Sequence, residues 1–285
     1  MKKRFLYFIC LIWICCNNSC AQTKTISDST FHNAAGNDSV FQHKNFIPGD
    51  YTYMDVDVLD NIYLITAGNQ LKKINANGDS VAVFNDVKKY GNPSMIDVSN
   101  PLKLLVYYKN FSTVVILDRL LTLRNSINFR KMGIFSVKAL TTSYDNNIWL
   151  FDEQDLKLKK IDDDGKVLQE TTDLRRLFDS VPSPTQIIDV DNFVYLYDAS
   201  KGFFIFDYYG TLKNNLPFLY WQHIAISNNN LYGFVNDKLY SYELKSLNLK
   251  SYTTPSYFND NINIKAINGK IYLLKKEGVQ IYSVK

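Results

Sequence analysis

From about position 39 onward, apolar and polar residues alternate over short stretches, each broken by a cluster of Asn, Asp, Gly or Ser. Alternation with a period of two predicts short strands whose sheets have two faces to pack on their neighbours. The clearest unit occupies residues 54–84, with strands at 54–58, 62–66, 71–75 and 80–84. The first two strands are joined by Asp60-Asn61 and the last two by Asn77-Gly78. Such pairs favour tight hairpins, because the turns need positive φ angles that Asn, Asp and Gly tolerate.

The unit recurs. Its second strand aligns at Tyr63, Leu105, Trp149, Tyr195, Tyr232 and Tyr272, at spacings of 42, 44, 46, 37 and 40 residues. Asp162-Asp163-Asp164-Gly165 and Asp207-Tyr208-Tyr209-Gly210 fall where Asn77-Gly78 does in the first copy. A period near forty with four strands per unit predicts an all-β, six-bladed β-propeller of four-stranded antiparallel blades. A β-sandwich also has short, regularly spaced strands, but it does not require five repeated intervals. The last copy runs out after three strands, at 262–267, 270–274 and 279–284. Residues 39–46 have no other place in the repeat, so they are expected to supply the missing fourth strand and close the ring.

Ahead of the repeat lies a different kind of sequence. Met1-Lys2-Lys3-Arg4 and the apolar residues 5–16 read as a targeting segment too short to span a bilayer as a helix. It ends in Asn17-Asn18-Ser19-Cys20-Ala21-Gln22, which resembles a lipoprotein cleavage box of the Bacteroidota kind. The resemblance implies a signal peptide at 1–19, lipidation of Cys20 and attachment to the outer membrane. The alternative is an ordinary secretory signal cut nearby. Residues 20–38 have linker composition, rich in Thr, Ser, Asn and Asp. The propeller is then expected over 39–285. As a whole the plan resembles bacterial six-bladed propellers of the NHL-like type and, as a lipoprotein carrying a propeller, a subunit of outer-membrane assembly machines.

All four cysteines (Cys10, Cys15, Cys16, Cys20) lie in the first twenty residues, so the repeat region has neither disulfides nor thiolate metal sites. Without Lys2, Lys3 and Arg4 the chain carries 29 basic and 28 acidic side chains, a balance that argues against nucleic acid as a partner. Surface-exported Bacteroidota lipoproteins often carry acidic residues after the cysteine. Ala21-Gln22-Thr23-Lys24-Thr25 has none, which by that resemblance implies the periplasmic side.

Candidate chemistry is sparse. Of the three histidines, His32 and His43 lie in the linker or closing strand, and His223 alone cannot build a metal centre. The four glutamates are scattered over turns, and no Gly-x-Ser-x-Gly elbow or phosphate loop is present. The expectation is therefore no enzyme, no catalytic residue and no cofactor. Asp57, Asp97 and Asp189 sit at or just after first strands and have two readings: converging oxygen ligands for a hard cation, or acceptors of hydrogen bonds at the strand-to-turn join. The second is preferred. Asp28-Ser29-Thr30, Asp38-Ser39-Val40, Asp79-Ser80-Val81 and Asp179-Ser180-Val181 resemble the Bacteroidota O-glycosylation signal, although Asp-Ser is also an ordinary turn pair.

Antiparallel four-stranded blades put the first and third connections on one face of the disc and the second connections and blade-to-blade crossings on the other. The first connections read as short and polar. The crossings carry aromatics throughout, as in Arg175-Arg176-Leu177-Phe178 and Pro217-Phe218-Leu219-Tyr220-Trp221. Aromatics with arginines have the composition of a protein interface. The competing reading is that the rings plug the gaps between blades. The sequence thus points to a non-enzymatic, protein-binding or scaffold lipoprotein, with Arg175, Arg176, Phe218, Tyr220 and Trp221 as candidate partner-binding residues. A glycan-binding lipoprotein is the alternative.

Overall fold

The computed structural model describes residues 40–284. The targeting segment, Cys20 and the linker fall outside the described residues, as do the Asp-Ser-Thr triplet at 28–30 and Ser39. Among the described residues, 24 strands form six separate four-stranded antiparallel sheets, the blades of a propeller.

Blade 1 comprises Tyr51–Val56, Ile62–Thr66, Leu71–Ile74 and Ser80–Phe84. Blade 2 comprises Met95–Asn100, Lys103–Tyr108, Thr113–Asp118 and Leu123–Asn128. Blade 3 comprises Val137–Thr142, Ile148–Asp152, Lys157–Ile161 and Val167–Glu170. Blade 4 comprises Gln186–Val190, Phe193–Asp198, Gly202–Asp207 and Leu212–Leu216. Blade 5 comprises Gln222–Ser227, Asn230–Val235, Lys238–Glu243 and Asn248–Thr253. Blade 6 takes Asn263–Ile267, Lys270–Lys275 and Gly278–Val284 from the end of the chain and Phe41–Pro48 from its start. The closing strand thus lies at 41–48 rather than 39–46. The first strands adjoin in cyclic order around the axis.

The core is divided among six seams, each made by two neighbouring blades. Met54, Leu64, Tyr272 and Leu274 belong to the seam between blades 6 and 1, and Trp149, Phe151, Leu196 and Phe206 to that between blades 3 and 4. Each blade thus packs on a neighbour with both of its faces, as expected from the sequence. Lys103–Tyr108 and Ile148–Asp152 are buried at every residue, because their two sides face two different seams. Outer strands such as Ser80–Phe84 keep one side in water.

The third connections of blades 1 to 4 share a device that explains their sequence. Asn75, Asp118, Asp162 and Asp207 each use Oδ1 to accept the backbone N–H groups two and four residues on. The fourth residue of each turn then takes a positive φ: Gly78 at 95°, Gly165 at 87°, Gly210 at 81° and Leu121 at 59°. The Asp118 copy escapes a search for Asx-Gly because leucine stands in the glycine's place.

Candidate functional site

Among the described residues, the axial channel, the crossing face and the turn face are open to a ligand. The channel holds about 410 Å³ and is walled by first strands of all six blades. Its carboxylates are engaged with the protein itself: Asp55 pairs with Lys265 at 2.6 Å, and the three singled out from the sequence are held by hydrogen bonds. Asp57 accepts from Tyr63 OH at 3.0 Å, Asn61 Nδ2 at 2.8 Å and the Leu59 and Asn61 N–H groups at 2.9 Å. Asp97 reaches across to blade 3, accepting from the Thr142 N–H and Oγ1, both at 2.7 Å, and from Thr141 Oγ1 at 3.1 Å. Asp189 reaches back to the same blade, accepting from Ser143 Oγ at 2.9 Å and Trp149 Nε1 at 3.0 Å. The three stand at different levels along the axis: Asp97 pairs with Leu105, Asp189 with Val194 one step beyond Tyr195, and Asp57 follows the Val56–Ile62 pair. All three act as acceptors within the protein: Asp57 does so at its own strand-to-turn join, as preferred from the sequence, whereas Asp97 and Asp189 chiefly tie their blades to blade 3.

His223 lies in the channel wall, where its Nδ1 accepts the Ile264 N–H at 3.3 Å and its ring meets Phe234 edge-on at 6.2 Å. Burial lowers its pKa against the opposing hydrogen bond with Asn263. His43, the other described histidine, is on the outermost strand of blade 6, against Tyr282.

The crossing face separates the predicted patch into two sets. Trp221 is buried, 6% exposed, and stacks on Phe218 at 4.5 Å and 6° and on Tyr240 at 5.6 Å. Its ring lies over Gly233, where an added Cβ would stand 2.3 Å from Cε3. Phe218 also meets Tyr242 edge-on at 4.9 Å and is half-buried. These two rings fill the seam between blades 4 and 5, and Trp221 does not present itself on the surface as expected. Tyr90, Phe129 and Phe258 on other crossings are likewise buried, stacked or tilted against Tyr108, Tyr107 and Phe41. For all of these the plug reading holds.

Tyr220 is different: its backbone φ is 58° and its ring is 64% exposed. Its N–H donates to Ala199 O at 2.7 Å, in the loop between the second and third strands of blade 4. From the same loop Lys201 Nζ donates to Ser180 O at 3.2 Å and to Val181 O. The loop therefore joins the crossing that carries Tyr220 to the one that carries Arg175 and Arg176. Both arginines are exposed on a short 3-10 turn, Leu174–Arg176, with Leu177 and Leu219 also in water. Arg175 donates to Asp173, holding that carboxyl down at about 2. Ser180 and, on blade 1, Ser80 of the two remaining Asp-Ser-Val triplets are exposed.

The turn face is not purely polar. Val58, Leu59, Leu102 and Tyr144 on first connections and Leu120 and Tyr209 on third connections are all more than half exposed. Short turns among Asx residues hid them from a reading by composition. The chain also meets the propeller on this face, since Phe41 pairs with Val284 at the end of a third strand.

No protein-family model matches the chain, and no curated protein matches it. Solved structures do. The WD40 domain of Pan2 from Neurospora crassa superposes with a TM-score of 0.59 at 10% identity, over 83% of this chain and 89% of that one. A catalytically inactive histidine-to-alanine variant of virginiamycin B lyase from Staphylococcus aureus, with quinupristin, gives 0.56 at 14%, over 86% and 88%. The extracellular domain of a hybrid two-component system from B. thetaiotaomicron gives 0.51 at 13%, over 81% of this chain and 33% of that one. At such identities the likeness is one of fold, and these structures and the six closed blades agree that the chain is a β-propeller.

Proposed function

We propose that this propeller is a non-enzymatic, protein-binding scaffold at the outer membrane, lipidated at Cys20 and held on the periplasmic side. The reading is carried by one observation: Arg176, Leu177, Leu219 and Tyr220 are exposed on two crossings that the 199–201 loop joins into one strip. Exposed tyrosine and arginine flanked by leucines, over a rigid base of Phe218 and Trp221, is the composition of an interface anchor. The non-enzymatic reading is supported by the engagement of His223, Asp57, Asp97 and Asp189 with the protein itself and by the pairing of the remaining channel carboxylate, Asp55, with Lys265 at 2.6 Å.

The test is affinity capture of the native lipoprotein from detergent-solubilised membranes, beside Tyr220→Ala, Arg176→Ala, Trp221→Ala and Cys20→Ala. A stable protein partner is expected with the wild type. Tyr220→Ala and Arg176→Ala should lose it at an unchanged melting temperature, because truncating a true anchor costs about 2 kcal/mol or more of binding. Trp221→Ala should instead cost about 3–5 kcal/mol of stability. Cys20→Ala should shift the protein from the membrane to the soluble fraction. Retention of the partner by both surface variants would refute this face, and membrane attachment without Cys20 would refute the anchor.

A further inference from the structure

The turn face opens between blades 3 and 4 into a cleft of about 640 Å³, inside the roughly 300–1,000 Å³ usual for small-ligand sites. Its walls bear three tyrosines. Tyr144, in the first connection of blade 3, is 67% exposed, and Tyr209, in the third connection of blade 4, is 86% exposed. Tyr208 stacks flat on Tyr144 at 4.4 Å and 12°.

The pair is rigidly held. Tyr208 OH donates to Asp189 Oδ1 at 2.6 Å, and the Tyr144 N–H points to Asp189 Oδ2 at 3.4 Å. The same carboxylate receives Trp149 Nε1 and Ser143 Oγ, and Tyr208 O accepts from Gln169 Nε2. Burial first, and then Asp189, keep the Tyr208 phenol protonated. Yet the fold does not demand the ring of Tyr209 at the tip. The turn that holds Tyr209 uses only its N–H, which donates to Asp207 Oδ1 at 3.0 Å. Copies of that turn elsewhere place Asn77, Leu120 and Asp164 at the same position.

The charges in the cleft come in neutral pairs. Lys160 is bound to Asp145, and Lys213 to Asp207 at 2.8 Å. An ionic ligand would find no uncompensated partner here. Lys160 Nζ, 4.8 Å from the Tyr144 centroid, 5.6 Å from that of Tyr208 and 5.2 Å from that of Trp149, lies beside the stacked pair, where its charge opposes a second cation while the Tyr144 face turned away from Tyr208 stays uncovered by it. What remains are flat apolar ring surfaces bordered by donors and acceptors. That combination matches a pyranose, whose C–H face stacks on an aromatic ring while its hydroxyls exchange hydrogen bonds around the edge. We propose that this cleft binds a neutral oligosaccharide, stacked on Tyr144 and Tyr209 and hydrogen-bonded by the Asp145–Lys160 and Asp207–Lys213 pairs. The site is independent of the protein-binding strip on the opposite face.

The experiment is native affinity electrophoresis of the full-length protein in detergent through gels containing neutral polysaccharides (laminarin, xyloglucan, galactomannan, α-mannan), with polygalacturonate and chitosan as charged counterparts. Retardation by at least one neutral polymer is expected. Tyr144→Ala and Tyr209→Ala should each weaken it about tenfold or more, while Tyr144→Phe keeps the stacking surface and stays within about threefold of wild type. Tyr220→Ala on the other face should leave retardation intact even where it abolishes capture of a protein partner. Lack of retardation by every neutral polymer, binding confined to a charged one, or retention undiminished by both alanine variants would each overturn the proposal. A loss shared equally by Tyr144→Phe and Tyr144→Ala would also overturn the stacking mode.

Discussion

Asp97 shows how much of a side chain's role depends on partners brought from another blade. Its carboxylate is set among Thr141, Thr142 and Ser99, and burial raises its pKa in spite of the hydrogen bonds from Thr142 and Ser99 that favour the ionised form. A group whose folded pKa is raised contributes stability that is complete below its unfolded value, about 3.9, and is lost as the pH rises through the folded value. The wild type should therefore gain stability relative to Asp97→Asn as the pH is lowered from about 7 to about 4. Urea unfolding of both proteins at the two pH values measures the gap, and a gap that stays constant or narrows toward acid would contradict the assignment. Sequence placed Asp97 at a strand end and gave it an acceptor's role, but its donors Thr141 and Thr142 lie more than forty residues away and were invisible. Trp221 and Tyr220 make the same point. They are adjacent in the chain and similar in chemistry, yet a positive φ at Tyr220 turns one ring outward and the other into the seam.

Among the elements, the repeat was legible because turn chemistry is local: an Asx residue and a glycine three positions later mark three of the third connections. The sharing of blade 6 between the two ends of the chain was legible as a deficit in the count. Its register was not, because pairing between 41–48 and 278–284 depends on geometry that no short-range signal encodes. That geometry centres on Gly278. Its φ is 144°, and an added Cβ would stand 2.2 Å from Ile47 O. Gly202, at the same place in the third strand of blade 4, has a φ of 89° and faces Leu216 O of the genuine fourth strand at the same 2.2 Å. The match identifies 41–48 as a true fourth strand. Gly278→Ala should then loosen the closure, lowering stability by about 2 kcal/mol or more through strain and lost pairing, and should expose an edge that promotes self-association. Thermal unfolding together with light scattering tests this, and an unchanged monomer with an unchanged melting temperature would show that the closing strand tolerates displacement.

At the scale of the whole molecule, a ring of blades is only as closed as its last seam, and here that seam joins segments more than two hundred residues apart. Apolar packing of Met54, Val56 and Leu64 against Ile267, Tyr272 and Leu274 supplies its bulk. On the turn face it is fastened by Asp60, whose carboxylate accepts from Lys270 Nζ at 2.7 Å and from Tyr272 OH and Asn268 Nδ2, both at 3.1 Å. Asp60 has a φ of 63°, a conformation that aspartate and asparagine tolerate better than most residues, so Asp60→Asn removes the charge without adding backbone strain. Burial pushes the Asp60 carboxyl up, but the hydrogen bonds from Lys270 and Asn268, the Lys270 charge and the Tyr272 hydroxyl outweigh it and leave the pKa below the usual carboxylate range. A lowered folded pKa contributes stability that is present above about 3.9 and is lost as the pH falls through the folded value. The side chains of Asp60 and Lys270 are 21% and 37% exposed, so solvent screens the pair and the expected cost of Asp60→Asn near neutral pH is modest, about 1 kcal/mol. Denaturant unfolding should show that cost at about pH 7, a smaller one in about 0.5 M salt, and a gap that narrows as the pH falls below about 3.9. A difference that persists undiminished in acid would mean that the clasp holds through shape and hydrogen bonding alone, and that charge has no part in closing the ring.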